Sequence, residues 1–110
     1  MPATTYWLVR PDGTILGQAG LRHRLTPALE DFGGHIGYAI RPSARGKGYG
    51  TKMLAMALDE ARDMGLPRVL ITCDPANIAS VRVIQKNGGV VASKSVAYTG
   101  RMTSRYWIEL

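Results

Sequence analysis

Cysteine is nearly missing, with Cys73 alone in 110 residues. An intramolecular disulfide framework is therefore excluded, and a single thiol suits a reducing compartment. Histidine is scarce too, limited to His23 and His35, and no His/Cys/Asp/Glu cluster has the spacing of metal ligands, so no metal is expected. No apolar run approaches the roughly 20 residues that cross a bilayer. The opening Met-Pro-Ala-Thr-Thr-Tyr has neither the basic nor the apolar region of a signal peptide. The expectation is a cytoplasmic protein with no membrane partner. Acidic residues are few, 8 against 14 Lys and Arg, giving a formal charge of +6 that favours anionic partners. Nucleic acid is one such partner and an acidic cofactor another. Because the aromatics are scattered and form no stacking platform, nucleic acid is the weaker reading.

What remains is an ordinary globular composition, 45% apolar and 20% charged, long enough for one small domain spanning 1–110 with a modest core. The chain is organised around Ile36 to Met64. Ile36-Gly37-Tyr38-Ala39-Ile40 alternates as a strand, Arg45-Gly46-Lys47-Gly48-Tyr49-Gly50 is a glycine-rich basic turn, and a helix begins near Gly50 or Thr51 and ends at Gly65. Glycines at alternate positions let backbone N–H groups approach a ligand. The helix start adds partial positive charge, and Arg45 and Lys47 add full charges. These features suit a phosphate or pyrophosphate. A plain strand-to-helix connection is the alternative. The P-loop pattern is not met, and the dinucleotide pattern G-x-G-x-x-G fails because Thr51 or Met53 stands where its last glycine belongs.

Around this unit, Thr4 to Arg10 and Ile15 to Leu25 read as a hairpin turning at Pro11-Asp12-Gly13, with Gly17 and Gly20 marking a bulge or a close approach. Thr26 to Asp31 reads as a loop with at most one helical turn. Arg68 to Cys73 is a continuous apolar run of the kind buried on both faces in a parallel pair, which makes Ile36–Cys73 a βαβ unit. Asn77 is placed to cap a helix running to Lys86, and Val90–Ala97 with Arg105–Leu110 reads as a terminal hairpin. The order is β-β-β-α-β-α-β-β, an α/β fold with a mixed central sheet. Met53, Met56 and Met64 read as core packing at helical spacing.

Arg45, Gly48 and Gly50 fill the pattern [R/Q]-x-x-G-x-[G/A], and Arg41-Pro42 stands just before it. This stretch resembles motif A of the GNAT superfamily of N-acetyltransferases, and the resemblance continues through Asn77 to Gly89, about half the chain. It implies a GNAT-like fold in a short form lacking the usual N-terminal strand and two helices. An edge exposed by that lack favours a homodimer. The implied activity is direct transfer of an acetyl group from acetyl-CoA to an amine, on a small molecule or a peptide, in a ternary complex. By the family pattern the backbones of Tyr38, Ala39 and Ile40 pair with the pantetheine arm, and Arg45, Gly46, Lys47, Gly48, Tyr49 and Gly50 hold the pyrophosphate. Asn77 and Ser80 bond the cofactor farther along.

The resemblance also exposes a gap. The family tyrosine that protonates the leaving thiolate is replaced by Ile84. Either the thiolate leaves unassisted or another group serves, Tyr98 and Tyr106 being within reach by sequence. His35, just before the central strand, is the candidate general base, because imidazole titrates near neutral pH; a surface strand-end histidine is the alternative. His23, flanked by Arg22 and Arg24, reads as a surface or phosphate-adjacent residue before it reads as a base, and Glu30 and Asp31 as solvated loop charges. Cys73 reads as a small buried hydrophobe before it reads as an acetyl relay. A non-catalytic CoA-binding or oligomerisation module is the reading that competes with the enzyme.

Overall fold

The computed structural model describes residues 3–31 and 33–110, with only the backbone of Asp31. Six strands and three helices follow in the order β1 (Ala3–Val9), β2 (Ile15–Arg22), α1 (Pro27–Asp31), β3 (Ile36–Ile40), α2 (Tyr49–Asp63), β4 (Arg68–Cys73), α3 (Ile78–Lys86), β5 (Val90–Val96) and β6 (Met102–Glu109). A 3-10 turn at Pro42–Ala44 carries the chain from β3 towards α2. The β1–β2 turn forms as its residues dictate: Gly13 takes φ +92° and the Asp12 carboxylate accepts the Thr14 N–H at 2.9 Å. Among the described residues no helix is long and apolar enough to cross a membrane.

The single mixed sheet expected from the sequence is instead two antiparallel three-stranded sheets, β1-β2-β3 and β4-β6-β5. The class stands, but the chain order gains the short helix α1 between β2 and β3, and β3 and β4 do not form the parallel ladder expected across Ile36–Cys73. The run Val69-Leu70-Ile71 is buried on both faces, as its composition demands, yet it pairs antiparallel with Trp107-Ile108 and their neighbours on β6. One backbone hydrogen bond joins the two sheets at their closest approach, His35 N–H to Leu70 O at 2.7 Å, and β3 and β4 then diverge. Gly34 makes that approach possible: at φ +61° it lies so close that a Cβ would fall 2.3 Å from Leu70 O. Within the first sheet Gly17 is close-packed in the same way, where a Cβ would fall 2.6 Å from Ala39 O of β3.

One core runs beneath both sheets. α2 turns Met53, Leu54, Ala57, Leu58 and Ala61 inward at helical spacing, against Ala19 and Leu21 of β2, Ile36 of β3 and Val69 and Ile71 of β4. Ile84 of α3 joins the same cluster with Tyr106 and Ile108 of β6. Burying a leucine such as Leu54 contributes roughly 1.5–3 kcal/mol. The helices therefore clamp the sheets on one side while their strands separate. The methionine expectation needs correction: Met53 is buried, but Met56 and Met64 are 50% and 40% exposed. They fall outside the inward stripe because the apolar face of α2 is already filled by leucine and alanine.

Candidate active site

The divergence of β3 from β4 opens a cleft of about 370 Å³ that passes between the sheets. The antiparallel alternation fixes which backbone groups face it. Arg22 N–H bonds to His35 O and Arg41 N–H bonds to Leu16 O, so residues 35, 37, 39 and 41 turn their carbonyls or amides to β2. The intervening Ile36, Tyr38 and Ile40 turn theirs towards β4. The Ile40 carbonyl bears this out, since it accepts from Arg45 Nε at 3.0 Å on that side. Of the three strand residues expected to line a ligand, Tyr38 and Ile40 thus present backbone to the gap, while Ala39 belongs to the β2 ladder.

On the helical side the cleft is lined by the Tyr38, Cys73, Asn77 and Ser80 side chains. The Tyr38 hydroxyl and Ser80 Oγ are 3.0 Å apart, linking β3 to the first turn of α3 across the gap. That turn is set by Asn77, whose Oδ1 accepts the Ser80 N–H at 3.2 Å, as its sequence position predicts. Burial raises the Tyr38 hydroxyl above its ordinary pKa, against a smaller opposing effect of the Ser80 hydrogen bond. Burial raises the Cys73 thiol as well, with Ser80 again opposing and the Asp74 charge adding to the rise. Both groups keep their protons at neutral pH. Tyr38 is therefore a hydrogen-bond donor, and Cys73 is a poor nucleophile.

The glycine-rich turn lies beside the cleft and not within its walls. Gly46 and Gly48 take φ +78° and +82°, and a Cβ at either would meet nothing within 4 Å. Gly48 is the N-cap of α2 and supplies no side-chain cap. Among the described residues no protein group accepts from the N–H groups of residues 46 to 51. Gly50 serves a different purpose: a Cβ there would stand 3.3 Å from Val83 Cγ2 and 4.0 Å from Tyr38 Cε2, so its absence lets the start of α2 settle against β3 and α3. Lys47 is exposed, Tyr49 half-buried, and Arg45 is exposed with its Nε tied to the end of β3.

His35 is drawn away from this group. It is 7% exposed, does not line the cleft, and its Nδ1 accepts the Leu70 N–H at 2.9 Å. An imidazole that accepts at Nδ1 carries its one neutral-state proton on Nε2, so neither nitrogen offers a free lone pair. Burial pushes its pKa below the ordinary value. Tyr98 and Tyr106 do not line the cleft either; Tyr106 is buried and Tyr98 is 70% exposed. Ile84 is fully buried. His23 bonds to Thr4 Oγ1 through Nε2 at 2.9 Å on the exposed surface, and Glu30 is exposed, whereas the side chain of Asp31 lies outside the described residues.

The opposite mouth of the cleft was not read from the sequence. It is formed by Arg22, Gly33, Thr72, Arg101, Met102 and Thr103. Thr72 Oγ1 accepts the Gly33 N–H at 2.8 Å, and Arg22 Nη1 donates to Gly33 O and Gly34 O at 3.2 and 3.1 Å. No local pattern marks Arg22, because it stands in a run of three basic-type residues, Arg22-His23-Arg24, that reads as uniform surface.

Residues 2–90 match the family described as Acetyltransferase (GNAT) domain. The Escherichia coli (strain K12) uncharacterized N-acetyltransferase YjgM is 34% identical over 67 residues, 61% of this chain and 40% of that protein. The Bacillus subtilis (strain 168) uncharacterized N-acetyltransferase YnaD is 38% identical over 61 residues, 52% of this chain and 36% of that protein. The matches thus span well under half the length of these curated relatives. Among solved structures, a ribosomal-protein-S5-alanine acetyltransferase from Vibrio fischeri superposes with a TM-score of 0.82 at 18% identity, covering 97% of this chain and 61% of that one. The yncA protein of Salmonella typhimurium, whose structure holds its cofactor acetyl-CoA, superposes with a TM-score of 0.71 at 24% identity, covering 90% and 60%. At these identities the likeness is one of fold.

Proposed function

The chain belongs to the GNAT acetyltransferase family, and from that premise we propose that it binds acetyl-CoA across the sheet divergence and transfers the acetyl group to an amine held in the same cleft. The observation that carries the reading is the row of unaccepted N–H groups at residues 46 to 51 beside a gap that β3 and β4 leave open. The backbones of Tyr38 and Ile40 extend that row along the cleft, and Asn77 and Ser80 stand on its far wall.

Each group then has a defined task. The amides of Gly46 to Thr51, at a helix start and next to Lys47, hold the diphosphate. Arg45 adds charge while its Nε fixes the end of β3. Acetyl-CoA supplies an acyl carbon activated by its thioester. The Tyr38 hydroxyl, kept protonated by burial, points across the gap to Ser80 and would donate the proton to the leaving sulfur. His35 is a positioning residue that fixes Leu70 at the junction of the sheets, and the amine gives up its proton to water in the open cleft. The protein acts in the cytoplasm as a homodimer, a reading supported by the free outer edge of β1, which pairs only with β2 among the described residues.

Calorimetry with acetyl-CoA tests the binding site: Gly48→Glu and Arg45→Glu should abolish binding that the native chain shows, and unchanged binding in both would remove the assignment. Thiol release over a panel of amines tests the transfer. One observation favours the second reading, a CoA-binding module without catalysis: Ile84 fills the family's tyrosine position and is wholly buried. Cofactor binding without thiol release on any amine would decide for it.

A further inference from the structure

We infer that the cleft mouth opposite the helices is a carboxylate-recognition site, so that the acceptor is a small amine bearing a carboxylate, of the amino-acid type. The inference rests on the acetyl-transfer reading above for the identity of the acceptor, but its physical basis is independent of that reading. Arg22 is half-buried at the end of β2 and lines the cleft. Its Nη1 is spent on the carbonyls of Gly33 and Gly34, which lock the guanidinium in place. The remaining Nε and Nη2 donors have no acceptor among the described residues.

No carboxylate among the described residues pairs with it. Among the described residues the one ion pair joins Arg62 to Asp59 on the far surface of α2. Among the described residues lining the cleft the one carboxylate is Asp74, and its Oδ1 accepts the Ala76 N–H at 2.8 Å in its own turn on the helical side. A second cation, Arg101, stands at the same mouth with Thr72 and Thr103 hydroxyls beside it. A partly desolvated guanidinium held rigid by carbonyls, with no counter-ion among the described residues, is a site for an anion, and its planar fork favours a carboxylate. A polyamine would meet like charge at this mouth, costing about 1 kcal/mol per pair even at the dielectric of water and more inside the cleft. The acceptor amine then points towards the gap between Tyr38 and Cys73 while its carboxylate stays at the mouth. At about 370 Å³ the cleft admits a small molecule of this kind.

The test measures thiol release from acetyl-CoA with L-amino acids, the matching L-amino acid amides, and spermidine. It is paired with calorimetry of N-acetyl-L-amino acids against their amides. The native chain should prefer the carboxylate member at least about tenfold, through KM, which corresponds to one charge-assisted contact at 1.4 kcal/mol per tenfold. Arg22→Met should bring the pair to parity. Because Arg22 also holds two backbone carbonyls, Arg101→Gln serves as a variant with no structural bond to lose, and it should reduce the preference severalfold. Equal or better use of the amides or of spermidine by the native chain overturns the proposal, as does a preference that survives both substitutions. If acetyl-CoA binds and no amine reacts, the transfer reading fails by itself. Calorimetry then decides the site: tighter binding of the N-acetyl amino acid, lost in Arg22→Met, upholds it, and equal binding of acid and amide overturns it.

Discussion

At the junction of the two sheets the Leu70 N–H is satisfied by an imidazole nitrogen at a place where a continuous ladder would have supplied a carbonyl. This single contact separates a base from a brace. Asparagine can place an amide oxygen close to where Nδ1 stands, so His35→Asn should keep most activity and stability, while His35→Ala should cost about 1–3 kcal/mol by stranding a buried N–H. Equal loss of turnover in both variants, with unchanged melting temperatures, would restore His35 as a general base. The ring also makes stability depend on pH. Its folded pKa lies below the unfolded value near 6.5, so the unfolded chain binds the extra proton first. The contribution is complete above about pH 6.5 and is lost as pH falls through the folded value. Thermal melts from pH 7.5 to 5 should show this decline in the native chain and less of it in His35→Asn. Nothing in the sequence distinguishes His35 from a surface histidine, because its partner lies 35 positions away.

Among the elements, α3 is held at its start by one side chain. Asn77→Ala removes the acceptor for the Ser80 N–H and should cost about 1 kcal/mol. Because Ser80 also meets the Tyr38 hydroxyl, the same change should weaken acetyl-CoA binding severalfold, whereas Gln85→Ala on the exposed face of α3 should leave both untouched. Denaturant titration and calorimetry on the two variants check this. Elements of this kind were legible in the sequence because their signals are local. The Asn77 cap, the Gly65 stop at φ +85°, the Pro11-Asp12-Gly13 turn and the alternation of Ile36, Tyr38 and Ile40 all appear where the residues place them. Strand partnership was not legible. A doubly buried run such as Val69-Leu70-Ile71 satisfies its burial beside either β3 or β6, and only the close packing of Gly34 on Leu70 shows where the ladder stops. The methionines misled for a related reason, since helical spacing fixes a face but not how wide that face must be.

Over the whole molecule, the formal charge of +6 favours a strongly anionic cosubstrate, which the proposed site receives at an exposed turn. Acetyl-CoA affinity should therefore fall severalfold between about 50 and 500 mM NaCl, chiefly through slower association, because the Debye length shrinks from above 10 Å towards 3 Å. Stopped-flow measurements at the two salt concentrations would show whether the loss sits in the on-rate. The half of the site proposed to hold phosphate has a local signal in the sequence, a glycine pattern with its cations. The half proposed to hold the acceptor has none, since Arg22, Thr72 and Arg101 come from three distant segments and meet only in the folded chain. Two amide protons, one from His35 and one from Leu70, tie the sheets together and cross the joint in opposite directions. They act as a built-in gauge of how far the halves swing apart: when a donor wedges between them, deuterium should enter both positions more slowly and at matching rates, while amides on the outer strand Val90–Val96 keep their original pace.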